Sequence, residues 1–159
     1  MESFEIITKV RIYKESDYPQ DKKELLEKAK LSALKAYAPY STYHVGAAVL
    51  LEDGTIVTGN NQENAAYPSG LCAERTALFY ANATYPDLAV KAIAIAAYNK
   101  GDYSKDVCTP CGSCRQVMVE VENRYDTPIE IIMYGKGQIY EVDSIRDLLP
   151  LSFGKESMG

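Results

Sequence analysis

Residues 43–61 read YHVGAAVLLEDGTIVTGNN. Two apolar runs flank the pair Asp53-Gly54, a strong short-range signal of a β-hairpin, with both turn residues expected at positive φ. Outward from this hairpin the periodicity changes. Upstream, residues 21–37 carry Leu25, Leu26, Ala29, Leu34 and Ala36 at near-helical spacing. That helix is expected to stop before Pro39, because a residue ahead of proline avoids the helical region. Downstream, after YPSG at 67–70, residues 71–83 hold Leu71, Ala77, Leu78, Phe79 and Ala81 in helical register and end near Pro86. VKAIAIAAY at 90–98 reads as a buried strand closed by Asn99-Lys100-Gly101, although its alanines would also suit a helix. A third helix is predicted from Pro110 through CRQVMVEVENRY, with Val117, Val121 and Tyr125 on one stripe. PIEIIMYG and GQIYEVD then supply two more strands, and SIRDLLP a last short helix capped by Ser144 or Asp143.

The order helix, two strands, helix, strand, helix, two strands, helix implies a three-layer α/β/α sandwich around a five-stranded mixed sheet. Ahead of it, FEIITKVRIY at 4–13 sets Ile6, Thr8, Val10 and Ile12 on one side, which predicts an extra N-terminal strand at a sheet edge or oligomer contact. No repeat or linker divides the chain, so residues 1–159 are expected to form one domain with 1–20 as an N-terminal extension. A chain of 159 residues buries about two-thirds of its unfolded surface and needs no cross-link.

Charge and hydropathy narrow the function classes. Seventeen Lys and Arg stand against 22 Asp and Glu, a net charge of −5, and no basic block occurs. Nothing here neutralises a phosphate backbone, so nucleic acid is not an expected partner, and highly anionic substrates are disfavoured. Apolar runs such as VGAAVLL at 45–51 fall far short of the about 18 residues that cross a membrane, and the charged first thirty residues do not resemble a secretory leader. A cytoplasmic setting with reduced cysteines is expected. Thirteen Tyr and no Trp suit either packing or subunit interfaces, where aromatic residues are enriched.

Three of the four cysteines lie in VCTPCGSCRQ at 107–116, and the fourth, Cys72, in LCAERTALFY. Cys111 and Cys114 are three apart at a helix start, so both thiols can reach one ion while the helix terminus favours thiolate. The remaining ligands are Cys72, Cys108 or both. Four thiolates would close the site and make it structural, whereas a catalytic zinc keeps one position open. Cys72 is followed by Glu74 and Arg75, a carboxylate that can approach an open position and a cation that can neutralise a thiolate. This geometry requires Cys72 at a helix end, with Ser69 or Gly70 as the cap, since residues two apart inside a helix do not face one another. His44 is the single histidine, so no Ser-His-Asp arrangement is available.

CAER followed by PCGSCRQ resembles the cytidine deaminase family, in particular its small homotetrameric three-cysteine type. The likeness extends to PYSTYHVGAAVL at 39–50, TGNNQENAAYPSG at 58–70 and LLPLSFG at 148–154, and covers most of residues 25–154. It implies one zinc ion per subunit held by Cys72, Cys111 and Cys114, with Cys108 as a free thiol. It further implies that Glu74 moves a proton from the attacking water to ring nitrogen 3 as oxygen adds to carbon 4 of cytosine, and that a later protonation of the exocyclic amine lets ammonia leave. Three thiolates leave a zinc centre at a formal charge of −1, and Arg75 and two helix N-termini are the candidates to compensate. By position, Asn61 and Glu63 are expected at the ribose hydroxyls, Tyr67 beside them, and the Ala73 N–H at the base carbonyl. Tyr43 stands where the family usually has Phe, and Phe153 is expected over the pocket of a neighbouring subunit. The implied reaction is hydrolytic deamination of cytidine and deoxycytidine to uridine and deoxyuridine, with release of ammonia, in pyrimidine salvage. The alternatives are a related aminopyrimidine nucleoside such as blasticidin S and, from another class, a non-catalytic structural zinc module with Cys108 as fourth ligand.

Overall fold

A computed structural model describes residues 1–159. Seven strands, β1 (Arg11–Lys14), β2 (His44–Leu51), β3 (Ile56–Asn60), β4 (Val90–Asn99), β5 (Asp102–Tyr103), β6 (Glu130–Gly135) and β7 (Gln138–Val142), form one sheet. Its order is β1-β7-β6-β4-β2-β3, with β5 folded back on the end of β4. Only β4 and β6 run parallel, with Ile93 opposite Ile131, and the helix between them makes the crossover. The five expected strands and the N-terminal one are present, and β5 adds a seventh.

Three helices, α1 (Gln20–Ala33), α2 (Ala73–Thr84) and α3 (Gly112–Tyr125), cover the two faces. Leu25, Leu26 and Ala29 of α1 pack with Ala48, Ala92, Ala94 and Ala96 on one side. Ala77 and Leu78 of α2 and Met118 of α3 pack with Val49, Ile93 and Ile95 on the other. The alternation resolves the alanines at the centre of β4: Ile93 and Ile95 turn to α2 and α3, whereas Ala92, Ala94 and Ala96 turn their methyl groups to α1.

Small residues let the helices approach the sheet closely. A Cβ on Gly46 would collide with the backbone of Ala29 and Ala33 in α1, and one on Gly59 with the backbone of Ala77 in α2. Because the obstacles are backbone, Gly46→Ala is expected to destabilise the fold by about 1–3 kcal/mol or more. A lowered urea midpoint at unchanged slope would show this, and an unshifted midpoint would mean that α1 yields without cost.

The N-terminal extension is held by charge. β1 pairs antiparallel with β7, Arg11 opposite Glu141. Glu141 is fully buried yet satisfied, accepting from Arg11 Nε at 3.2 Å, Tyr18 Oη at 2.6 Å and Lys22 Nζ at 3.2 Å.

Several expectations are corrected. The N-terminal strand covers Arg11–Lys14 and not 4–13: with Arg11 opposite Glu141, Ile6 and Thr8 fall beyond the end of β7 at Val142, and Thr8 instead donates to the Asp147 carbonyl at 2.9 Å. The first helix ends at Ala33, ahead of Leu34 and Ala36, because Tyr37 is drawn into a bridge with Gln62. Of the turn pair only Gly54 has positive φ, while Asp53 Oδ1 accepts from the Thr55 N–H at 2.9 Å. The last helix shrinks to a 3-10 turn at Ile145–Asp147, with Pro150 close behind and Ser144 as its cap.

Candidate metal centre and adjoining cleft

Two helix N-termini on the same side of the sheet converge at the cysteines. Cys72 occupies the N-cap position of α2 and Cys111 that of α3, while Cys114 lies in the first turn of α3. The cap of α2 is therefore Cys72 itself, not Ser69 or Gly70, because Tyr67–Ser69 forms a separate 3-10 turn and the backbone is extended at Gly70 and Cys72. At the cap the thiol leaves the helix axis, which lets Glu74, two residues on, turn into the same space.

The three sulfurs lie within 4.8 Å of one another, with Cys72 to Cys111 at 3.8 Å and Cys111 to Cys114 at 3.5 Å. Thiolates at about 2.3 Å in a tetrahedron around zinc stand about 3.8 Å apart, so this donor set fits zinc. Cys108 lies outside the group. It is buried at the cleft wall, where burial pushes its thiol up to about 12, so it remains protonated. A closed four-thiolate module therefore lacks its fourth ligand here.

Electrostatics favours thiolate at Cys72 and thiol at Cys114. Cys72 is pulled down to about 5 by the neighbouring Cys114 thiol, against the opposing effect of burial, and by Arg75, whose Nη2 lies 3.7 Å from its sulfur. Cys114 is raised, by that contact with Cys72 and then by burial. Glu74 is 4% exposed, and burial pushes its carboxyl up to about 6.

A cavity of about 430 Å³ opens over these groups, lined by Tyr43, Asn61, Glu63, Cys72, Ala73 and Glu74 among others. Its mouth continues into a second hollow of about 470 Å³ between Tyr40, Tyr67 and Arg75, which shares Asn61, Glu63 and Cys72 with the first. Asn61 is fixed by its neighbours, its Oδ1 accepting from the Val45 N–H at 2.8 Å and its Nδ2 donating to the Tyr43 carbonyl at 2.9 Å. Glu63 accepts from the Tyr40 N–H at 2.9 Å, the Ser41 N–H at 3.2 Å and the Ser41 hydroxyl. The Ser41 hydrogen bond holds the Glu63 carboxyl below its usual range. Ala73 is the first helical residue of α2, so its N–H has no acceptor within the helix. Burial pushes the Tyr43 phenol up to about 12, in a setting shared with Cys108.

The structure thus gathers Cys72, Cys111, Cys114, Glu74, Tyr43, Asn61, Glu63 and Ala73 at one cavity and sets Tyr67 and Arg75 at its continuation. Phe153 lines neither hollow of its own chain and is 60% exposed. Sequence reasoning missed Ser41 as the anchor of Glu63, although it lies inside the quoted PYSTYHVGAAVL block.

A family model described as the cytidine and deoxycytidylate deaminase zinc-binding region matches residues 19–126. A cytidine deaminase of Sporosarcina psychrophila is 42% identical over 138 residues, covering 87% of this chain and 95% of that protein. One of Halalkalibacterium halodurans is 40% identical over 141 residues, covering 87% and 98%. The crystal structure of cytidine deaminase from Burkholderia pseudomallei superposes with a TM-score of 0.69 at 41% identity, covering 82% of this chain and 98% of that one.

Proposed function

The chain belongs to the cytidine and deoxycytidylate deaminase family, and we propose that it hydrolyses cytidine and deoxycytidine to uridine and deoxyuridine with release of ammonia. The observation that carries this reading is the juxtaposition of three thiols at zinc-ligand spacing with the buried Glu74 at the foot of one cavity. Cys72, Cys111 and Cys114 hold one zinc ion per subunit, which supplies a Lewis acid that makes water nucleophilic near neutral pH.

The protein's own groups do the rest. Asn61 and Glu63, already fixed by hydrogen bonds to the β2 region and to Ser41, meet the ribose hydroxyls without a cost of ordering. The Ala73 N–H at the start of α2 takes the base carbonyl and fixes the orientation of the ring in the cavity. Tyr43 forms a wall of the base pocket and Tyr67 borders its mouth. Glu74 accepts a proton from the attacking water and gives it to ring nitrogen 3 as the new C–O bond forms at carbon 4, then takes the remaining proton of the added hydroxyl and delivers it to the exocyclic nitrogen as the C–N bond breaks and the carbon 4 carbonyl forms. Its buried carboxyl suits a group that must both take and return protons near neutrality. Arg75 offsets the negative charge of the three thiolates.

Phe153, exposed on its own chain, closes the pocket of a neighbouring copy, which makes the working form a homotetramer with shared sites. Four free cysteines suit the cytoplasm and a role in pyrimidine salvage. No helix is long and apolar enough to cross a membrane.

The test is ammonia release from cytidine by the zinc-loaded protein, followed alongside the loss of cytidine absorbance. Release from cytidine supports the reading, whereas none from cytidine but release from blasticidin S would move the substrate to another aminopyrimidine nucleoside. Cys108→Ala is expected to keep one zinc per subunit and turnover within about threefold of the parent, since its thiol stands outside the ligand group. Zinc below half an equivalent in that variant would return Cys108 to the ligand set.

A further inference from the structure

Two side chains that follow the last metal ligand hold a part of the chain that lies outside every strand and α-helix. Beyond the turn at Ile145–Asp147 the backbone forms no strand or α-helix, and Leu151 and Phe153 are exposed. Both ends of residues 148–153 are nevertheless pinned to the first turn of α3. Arg115 Nη1 donates to the Leu148 carbonyl at 2.7 Å, and Gln116 Nε2 to the Phe153 carbonyl at 2.8 Å. Arg115 also donates through Nε to the Pro110 carbonyl at 2.9 Å, immediately ahead of Cys111. One guanidinium therefore bridges the loop that enters the metal centre and the segment that bears Phe153. Its planar fork reaches both carbonyls at once, which a lysine cannot do.

We propose that Arg115 and Gln116 are positioning residues, a strap that holds Phe153 in register with the metal loop of its own chain so that it can close the pocket of a second copy. Metal-loop geometry in one subunit is thereby coupled to substrate affinity in the next. This rests on the deaminase reading given above and extends it. Phe153 lines neither hollow at the metal centre of its own chain, so a strap that fixes its carbonyl does not serve that site. Both residues act through Phe153 and touch neither the three sulfurs nor Glu74.

The proposal predicts a separation of kinetic constants. In zinc-loaded Gln116→Ala, KM for cytidine is expected to rise about five- to tenfold, the worth of one lost hydrogen bond, with kcat within about threefold and zinc still at one per subunit. Arg115→Lys, which can keep one carbonyl but not both, should raise KM in the same way. Amide exchange over residues 149–154 should quicken in both variants while that of α3 is unchanged. Coexpression with Glu74→Gln subunits locates the effect. In hybrid tetramers a Gln116→Ala subunit with intact Glu74 receives Phe153 from a neighbour with an intact strap, and its KM should return toward the parent value. Unchanged KM in both variants, or a raised KM that hybrids do not relieve, overturns the strap. If the parent protein itself releases no ammonia from cytidine, the activity reading has failed instead, and exchange over 149–154 then decides whether the strap orders the segment.

Discussion

Glu74→Gln is expected to keep its zinc and lower kcat/KM for cytidine by about 10³-fold or more. The substitution preserves shape and hydrogen-bonding length but removes the ability to carry a proton. Glu74 is buried at the start of α2, beside the thiols and facing the cavity, so no bulk water can replace it as the acceptor in the first step and the donor in the last. On the proposed mechanism both proton relays pass through this one carboxylate, and both fail together. Glutamine adds no charge to a buried position, so the fold should hold and thermal stability should stay equal or rise. Metal analysis, a melting curve and steady-state rates on one preparation separate the possibilities. Rates within about tenfold of the parent at full zinc would take Glu74 out of proton transfer, whereas lost zinc would make it a support of the metal centre.

Much of this centre was legible because its chemistry is local. Cys111 and Cys114 declared themselves by spacing at a helix start, and CAER by its compression of thiol, carboxylate and cation into four residues. The sequence did not reveal that both Cys72 and Cys111 are helix caps, because the cap of α2 was expected at Ser69 or Gly70, whereas the separate 3-10 turn at Tyr67–Ser69 and the bridge of Leu71 with Gln62 keep the chain extended as far as Cys72. The hairpin was readable from its apolar runs and turn, but not the reason for Gly46 and Gly59, which depends on two helices that arrive from elsewhere in the chain. Likewise the alternation at 4–13 was real as a pattern and insufficient as a strand. A strand needs a partner, and β7 pairs only with Arg11–Lys14. β5 escaped for a similar reason, being two residues long and held by the edge-on contact of Tyr103 with Tyr98 at 5.4 Å and with Tyr134 at 5.8 Å. Arg115 and Gln116 carried no periodic signal, since the Leu148 and Phe153 carbonyls that they hold lie more than thirty residues away.

Because two ligands are helix caps, substituting one should move metal binding and apo stability in opposite directions. Cys111→Ser is expected to reduce zinc from one per subunit to near zero and turnover by about 10³-fold or more, since the Lewis acid is lost with it. A serine hydroxyl is a poor zinc ligand beside two thiolates, and Cys111 is the most exposed of the three sulfurs, so nothing nearby replaces it. As an N-cap, however, serine is better than cysteine. Cys111 makes no side-chain capping bond to α3, whereas a serine oxygen can accept one of the free N–H groups of the first turn. The metal-free variant should therefore be about 0.5–1 kcal/mol more stable than the metal-free parent. The parent should gain stability on adding zinc and the variant should not, because binding energy available only to the folded state adds to folding. Urea melts with and without chelator read both quantities. A variant that loses activity yet still gains stability with zinc would show that Cys72 and Cys114 suffice to hold the ion and that Cys111 acts in some other way. A variant less stable than the parent in chelator would show that the thiol packs at the helix start more favourably than a hydroxyl caps it.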